Sequence, residues 1–198
     1  MTDKPASSGF TLVETLVALF IFGLLASAGA YTLGVSVESA QAVEEVSDQL
    51  QDLQRSRAAL RADLAQMTPR RGRGMDGAAR SVLTGGENAP VLLAFTRFGP
   101  DNPDAAARPS LQYVEYRMTD AGLERRAAAQ LDGAVPVASL LLPGAAAAEI
   151  DFHYEGAWSD TPLAAPAGSV APLPDAIRLN VSHPRFGRVE QLFLVGAA

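Results

Sequence analysis

The 198-residue sequence contains no cysteine and only two histidines, His153 and His183. The lack of cysteine excludes disulfide bonds, thiolate metal sites and a cysteine nucleophile. Two histidines are too few for a histidine-rich metal centre, and we interpret both as structural or exposed residues. The G-x-S-x-G pattern of a serine nucleophile elbow is also missing. No catalytic residue, metal site or cofactor is therefore predicted.

One short acidic sequence, "DNPD" (101–104), is a candidate calcium site. It offers Asp101, Asn102 and Asp104 as oxygen ligands. It lacks the glycine and the distal glutamate of an EF-hand loop, so calcium is not part of the prediction.

Positive charge is scarce as well. Lysine and arginine number 16 against 22 aspartates and glutamates, which gives a net charge of −6. An acidic protein has little nonspecific affinity for nucleic acid, so nucleic acid is not a predicted partner. The sequence "PRRGRGMDGAAR" (69–80) is locally basic and is interpreted as a solvated loop, with an acidic neighbour as a further option. Its four arginines are Arg70, Arg71, Arg73 and Arg80.

A long apolar run lies close to the N-terminus. Between Phe10 and Leu33 the only ionisable side chains are those of Glu14 and Tyr31. A helix of this length, at about 1.5 Å per residue, crosses a bilayer core of roughly 30 Å. The run fits three interpretations: a secretory signal peptide cleaved at "ASA" or "AGA" (26–30), an uncleaved signal anchor, or a prepilin-type leader followed by a membrane helix.

Glu14 is the unusual residue of this run. A charge near the middle of a membrane helix costs about 2.5–3.5 kcal/mol, and such residues are usually paired and functional. Near the first turn the cost is smaller, because the positive end of the helix dipole favours an anion. The free α-amino group of a neighbouring subunit would be a suitable partner. The alternative is that Glu14 merely snorkels to the membrane interface.

The helical pattern continues without a break after the apolar run. Apolar residues recur at steps of three and four, and the positions between them are polar. The stripe consists of Val43, Val46, Leu50, Leu53, Leu60, Leu64 and Met67. Pro69 and Gly72 are expected to end the helix. One helix is therefore predicted over residues 10–67, with the stripe packed on a soluble domain and with Asp63 among the polar positions.

Beyond residue 80 the apolar residues alternate as they do in β-strands. Strands are predicted at 91–98, 111–118, 123–127, 148–156, 176–183 and 188–195. Hairpin turns are predicted at 119–122 and 182–188, and an irregular loop at 159–174, which holds four prolines. We therefore predict an α+β fold in which a long N-terminal helix, transmembrane in its first half, packs on antiparallel sheet.

The N-terminal residues resemble the signal of type IV pilins and pseudopilins. In that signal a glycine is followed by phenylalanine, here Gly9 and Phe10, with a lysine upstream and a glutamate at the fifth place after the glycine, here Glu14. The resemblance implies cleavage by a prepilin peptidase between Gly9 and Phe10, methylation of the new terminus at Phe10, and pairing of Glu14 with a neighbouring subunit. The implied division is a leader at 1–9, a transmembrane helix at 10–33, the amphipathic periplasmic half of the same helix at 34–68, and a β-rich periplasmic head of pilin-like fold at 69–198.

The rest of the sequence resembles the minor pseudopilin J family of the type II secretion system. The likeness runs through residues 95–132, 140–160 and 172–181, and includes Tyr116 and Arg125. The alanines at 127–129 depart from the family, which usually has an aromatic residue after the arginine of the return strand.

That resemblance implies a minor pseudopilin in the tip complex of a pseudopilus, which primes pseudopilus assembly for protein export across the outer membrane. The implied partners are pseudopilins I and K, the major pseudopilin G, the inner-membrane assembly platform and the prepilin peptidase. The implied location is the bacterial inner membrane, with a single span and a periplasmic C-terminal domain. Two alternatives are a type IV minor pilin and a membrane-anchored or secreted periplasmic enzyme.

Overall fold

The structure, a computed structural model, describes residues 11–99, 104, 107–166 and 169–196. Gly9 and Phe10, and Asp101 and Asn102, lie outside these residues. The chain divides into a compact unit that ends at Gln49, here called the N-terminal unit, and a second that begins at Leu50, here called the C-terminal unit. The described residues form the helix α1 (Leu12–Leu64) and the strands β1 (Leu83–Gly85), β2 (Leu93–Phe98), β3 (Leu111–Thr119), β4 (Gly122–Ala127), β5 (Val137–Pro143), β6 (Ala147–Tyr154), β7 (Ala157–Ser159), β8 (Ala176–His183) and β9 (Gly187–Leu194).

The N-terminal unit consists of the first part of α1, which is long and apolar enough to cross a membrane. Every large apolar side chain from Leu12 to Val37 is exposed. Hydroxyl groups in this part bond within the helix: Ser27 donates to the carbonyl of Gly23 at 2.7 Å and Thr32 to that of Ala28 at 2.9 Å. These bonds satisfy the hydroxyl groups internally, as an apolar environment requires.

The helix ends at Leu64, five residues before the proline that was expected to stop it. The following residues leave the helix because strand β2 offers them backbone hydrogen bonds. Thr68 N–H donates to the carbonyl of Thr96, and Phe98 N–H donates to that of Gln66, both at 2.9 Å. Tertiary pairing, rather than Pro69, therefore sets the end of α1.

Two antiparallel sheets make up the rest of the C-terminal unit. One has five strands in the order β1-β2-β3-β4-β5, and the other has four in the order β7-β6-β8-β9. The β3–β4 hairpin turns tightly at Gly122, whose φ of 132° is accessible to glycine but not to residues with a side chain. The predicted α+β fold is confirmed, and each of the six predicted strands corresponds to an observed one.

The core lies between the end of α1 and the two sheets. Leu60, Leu64 and Met67 contribute from the helix side, Phe95 from the first sheet and Phe152 from the second, all almost fully buried. The apolar stripe of α1 is buried only towards this end. Val43, Val46 and Leu50, which were expected to pack on the soluble domain, are exposed.

Candidate assembly site

The first turn of α1 places Glu14 next to a capping residue. Glu14 N–H donates to the hydroxyl of Thr11 at 3.3 Å and to its carbonyl at 3.1 Å, so Thr11 caps the helix. Threonine followed three residues later by glutamate is the capping-box pattern, in which the glutamate also stabilises the helix start. The position therefore suits a carboxylate both by capping and by the helix dipole.

Glu14 has no opposite charge nearby along its own helix. From residue 11 to residue 54 the sequence contains no lysine, arginine or histidine. A carboxylate on a helix is normally paired with a cation three or four residues away, and that option is absent here. Any cation for Glu14 must therefore come from outside this stretch of the helix.

The other end of α1 carries a buried carboxylate. Asp63, only 2% exposed, lies in the last turn among residues of three strands. Arg125 on β4 binds both of its oxygens: Nε donates to Oδ2 at 2.7 Å and Nη2 to Oδ1 at 3.0 Å. Tyr116 on β3 donates its hydroxyl to Oδ2 at 2.5 Å. Arg97 on β2 donates to Oδ1. We call these four residues the Asp63 cluster.

Arg97 is itself held in place on two further sides. Its guanidinium donates to the side-chain oxygen of Gln66, and its Nε donates to the carbonyl of Phe98 at 2.7 Å. Charge-assisted and bidentate hydrogen bonds of this kind are about twice as strong as neutral ones and fix orientation. The last turn of α1 is thereby fastened to three neighbouring strands of the first sheet.

Two members of the cluster, Tyr116 and Arg125, keep their usual protonation states at neutral pH. Burial raises the pKa of Tyr116 well above its usual range, and the charge of Asp63 and the hydrogen bond to it raise that pKa further. Burial alone would lower the pKa of Arg125, but the hydrogen bond and the charge of Asp63 outweigh burial and raise it. Tyr116 therefore remains a neutral donor and Arg125 a cation. The arrangement is suited to anchoring the helix rather than to proton transfer.

The assignment of Asp63 to the polar face of the helix was wrong. The buried positions of the last turns are Ser56, Leu60, Asp63 and Leu64, and Met67 is buried just beyond the end of the helix. The steps from 56 to 60, 63 and 67 are four, three and four residues, which place Asp63 on the apolar face. That spacing was readable in the sequence. The sequence did not identify Arg97, Tyr116 and Arg125 as partners of Asp63, because each of them lies on a different strand.

The structure also locates the two histidines. His153 lies beside Trp158, with ring centroids 5.0 Å apart, and its Nδ1 is 3.5 Å from a carboxylate oxygen of Asp175. The ring of His183 lies 3.1 Å from the carbonyl oxygen of Pro143 in a turn. Among the residues that the structure describes, no group of three or more potential metal ligands comes together.

A capped apolar helix with a lone carboxylate in its first turn, joined to an antiparallel α+β unit, defines the class of pilin-like membrane-anchored proteins. The match of residues 4–30 to the family described as the prokaryotic N-terminal methylation motif agrees with that class. Residues 31–195 match the family described as type II secretion system protein J. The chain belongs to the type II secretion system protein J family.

Similar proteins support membership of this family along nearly the whole chain. Type II secretion system protein J of Escherichia coli is 34% identical over 203 residues, which cover 97% of this chain and 98% of that protein. The protein of the same name from Klebsiella pneumoniae is 31% identical over 196 residues, which cover 96% and 95% of the two chains. A chain of the GspK–GspI–GspJ complex from enterotoxigenic E. coli is 29% identical with a TM-score of 0.64, covering 76% of this chain and 99% of that chain. The predicted family is thus confirmed.

Proposed function

We propose that this chain is a minor pseudopilin of the tip complex of the type II secretion pseudopilus, where it joins the I- and K-type pseudopilins. The observation that carries this proposal is the likeness to a chain of the solved GspK–GspI–GspJ complex, together with membership of the protein J family. In this role the protein primes pseudopilus assembly for export across the outer membrane. It is a structural component and a substrate of the prepilin peptidase rather than an enzyme.

The C-terminal unit has surfaces suited to such partners. Both sheets end in a strand that is paired on one side only, β5 in the first sheet and β9 in the second. Val137 on β5 and Leu192 and Leu194 on β9 are exposed. Unpaired edges with exposed apolar side chains are usually covered in the functional assembly. They are candidate contact surfaces for the neighbouring pseudopilins.

The proposed membrane arrangement uses the divisions expected from the sequence. A leader of residues 1–9 is removed between Gly9 and Phe10, and Phe10 becomes the methylated N-terminus. Residues 10–33 span the inner membrane, residues 34–68 continue the helix, and residues 69–198 form the periplasmic head. The exposed apolar surface of α1 and its internally bonded hydroxyl groups support a lipid environment for the first part of the helix.

In the proposed assembly Glu14 pairs with the α-amino group of a neighbouring subunit. A carboxylate without a cation within 40 residues along its helix favours a partner from another chain, because an unpaired charge in lipid costs about 2.5–3.5 kcal/mol. The capping position lowers the cost before assembly, since the helix start stabilises an anion.

Mass spectrometry of the mature N-terminus tests the processing step. We expect a methylated Phe10 as the first residue. A mature protein that starts near Tyr31 would instead identify a secretory signal peptide. Co-purification with the I- and K-type pseudopilins then tests the tip assignment, and failure to bind either partner would contradict it.

Substitutions of Glu14 separate pairing from capping. Glu14→Gln keeps a capping-box side chain but removes the charge, whereas Glu14→Ala removes both. If pairing is the role, both variants should be cleaved normally and both should lose at least about tenfold in recovery with the partner pseudopilins, which corresponds to about 1.4 kcal/mol. Glu38→Gln, a change of the same charge further along the same helix, is the control. Normal assembly of Glu14→Gln would contradict the pairing role.

A further inference from the structure

A cavity of about 510 Å³ lies beside the edge of the first sheet, in the C-terminal unit. One wall is formed by residues 79–85, which include strand β1. The rest of the lining consists of Arg71, the proline-containing segment 162–165 and Ala171. None of the assembly features described above uses this cavity, and its lining includes part of the arginine-rich loop.

The charge of the cavity is entirely positive. Arg71 and Arg80 are the charged residues that line it. Among the described residues, no carboxylate lies within ion-pair distance of either guanidinium. Arg80 is held in place over the ring of Tyr113, 3.9 Å from its centroid. Two unpaired cations on a chain of net charge −6 indicate a local preference for an anionic partner.

The other arginines of the loop serve different purposes. The backbone N–H of Arg73 donates to Asp132 at 2.6 Å, and its guanidinium donates to the carbonyl of Gly77 at 3.0 Å. The first contact joins the loop to the segment after β4, and the second closes the loop on itself. Arg70 is exposed and does not line the cavity. The loop is therefore ordered around two arginines that remain available to a ligand.

Strand β1 is an edge strand whose outward backbone groups bond to none of the residues that the structure describes. Gly86 N–H donates to the carbonyl of Leu92 at 3.3 Å, which shows which residues of β1 form hydrogen-bonded pairs with β2. In an antiparallel ladder, hydrogen-bonded and non-hydrogen-bonded residue pairs alternate. The backbone N–H and C=O groups of Thr84 therefore point towards β2, while those of Leu83 and Gly85 point away from it. In the turn that follows β1, Glu87 N–H donates to the carbonyl of Asp160 at 3.1 Å, which holds the segment after Asp160 near the end of β1.

Residues 83–85 of β1 and the segment 162–165 line the same cavity, which therefore separates the strand from that segment. Neighbouring strands lie about 4.8 Å apart, and a strand that added to β1 would enter this space. Because β1 has three residues, the recognised segment is about four to six residues long, at roughly 3.3 Å per residue. Exposed Leu163 supplies an apolar contact for alternate side chains of the added strand.

We propose that this cavity binds an extended acidic segment of a partner protein, which adds as a strand to the edge of β1 and places its carboxylates on Arg71 and Arg80. Main-chain hydrogen bonds to Leu83 and Gly85 provide affinity, and the two guanidiniums select acidic side chains. This binding does not depend on the tip-complex assignment, because the groove belongs to the isolated chain.

Fluorescence anisotropy with a labelled Val-Glu-Val-Glu-Val-Glu peptide tests the proposal on the full chain in detergent micelles. We expect saturable binding that weakens with added salt, and no binding of the Val-Gln-Val-Gln-Val-Gln peptide. Arg71→Glu should weaken binding at least about tenfold, because it replaces an attraction with a repulsion. Arg70→Glu makes the same change in net charge one residue away and should alter binding less than about twofold.

A third peptide, with the sequence of the first but with every backbone N–H methylated, tests strand addition. It keeps the charges and loses backbone donors, so it should bind at least about tenfold more weakly if main-chain hydrogen bonds supply the affinity. Equal losses in Arg70→Glu and Arg71→Glu would overturn the proposal, as would undiminished binding of the N-methylated peptide. The absence of saturable binding by the first peptide would overturn it as well. The thermal unfolding midpoint of each variant confirms that it is folded.

Discussion

Replacement of Asp63 by asparagine removes the carboxylate on which Arg97, Tyr116 and Arg125 converge. The side chain of Asp63 is 2% exposed, and those of Arg97 and Arg125 are 10% and 21% exposed. Two guanidiniums would then face a neutral amide in a region that water hardly reaches. Loss of one partner of a buried ion pair costs about 3–5 kcal/mol, because the remaining charge is left buried without compensation.

That cost should be visible in thermal unfolding of the full chain in detergent micelles. For a folded unit of this size, each kcal/mol lowers the unfolding midpoint by about 2–4 °C, so Asp63→Asn should lower it by about 6–20 °C. The fluorescence of Trp158, the single tryptophan of the chain, reports unfolding of the C-terminal unit.

A matched control and a double variant test whether the Asp63 cluster anchors the helix. Asp52→Asn is the same chemical change in the same helix, but Asp52 pairs with Arg55 at 3.0 Å on the surface, where such pairs contribute about 0–1 kcal/mol. The double variant Asp63→Asn with Arg125→Gln should cost less than the sum of its single changes, because it also removes an uncompensated charge. If Asp63→Asn were no more destabilising than Asp52→Asn, the cluster would not anchor the helix.

Three further changes test other parts of the C-terminal unit. Because the pKa of Tyr116 is raised in the folded protein, the unfolded chain loses the phenol proton first, near its ordinary value of 10.0, and stability falls as the pH rises above that value. Tyr116→Phe should remove about 1.4 kcal/mol in total from the decline between about pH 9 and 11, as measured by urea unfolding. Gly122→Ala should cost about 3 kcal/mol or more in urea unfolding, because an added Cβ would meet the carbonyl of Leu142, whereas Gly133→Ala, with open space around it, should cost about 1 kcal/mol. The guanidinium of Arg178 lies 4.2 Å from the ring centroid of Trp158, so Arg178→Ala should cost about 0.5–1 kcal/mol and shift the tryptophan emission to longer wavelength.

Most of the fold was predictable from local patterns. The long apolar run, the apolar residues at steps of three and four, and the alternating strands each depend on neighbours in the chain, and each corresponds to an observed element. Strands β1, β5 and β7 were not predicted. β1 and β7 have only three residues each, too few for an alternating pattern to be recognised, and β5 exposes its first four residues. Their pairing with longer strands, rather than their own residues, makes them strands.

One residue of the assembly site, Glu14, was predictable from composition rather than from periodicity. Glu14 is conspicuous because it is the one carboxylate in a run of apolar residues, so its position needs no tertiary structure to be noticed. Cleavage between Gly9 and Phe10, methylation of Phe10 and the pairing of Glu14 stay predictions until the mature N-terminus and the variants are measured.

The sequence by itself determined the apolar helix, the order of the helix and six of the nine described strands, and the family, because periodicity, apolar length and sequence motifs are readable along the chain. Only the tertiary structure determined that Asp63 is buried and which residues bind its carboxylate. Its partners Arg97, Tyr116 and Arg125 lie 34, 53 and 62 residues away along the chain, and they meet because three adjacent strands pass beneath the last turn of α1. A carboxylate on an apolar helix face is tolerated only where such donors surround it, and their convergence is a property of the packed sheet.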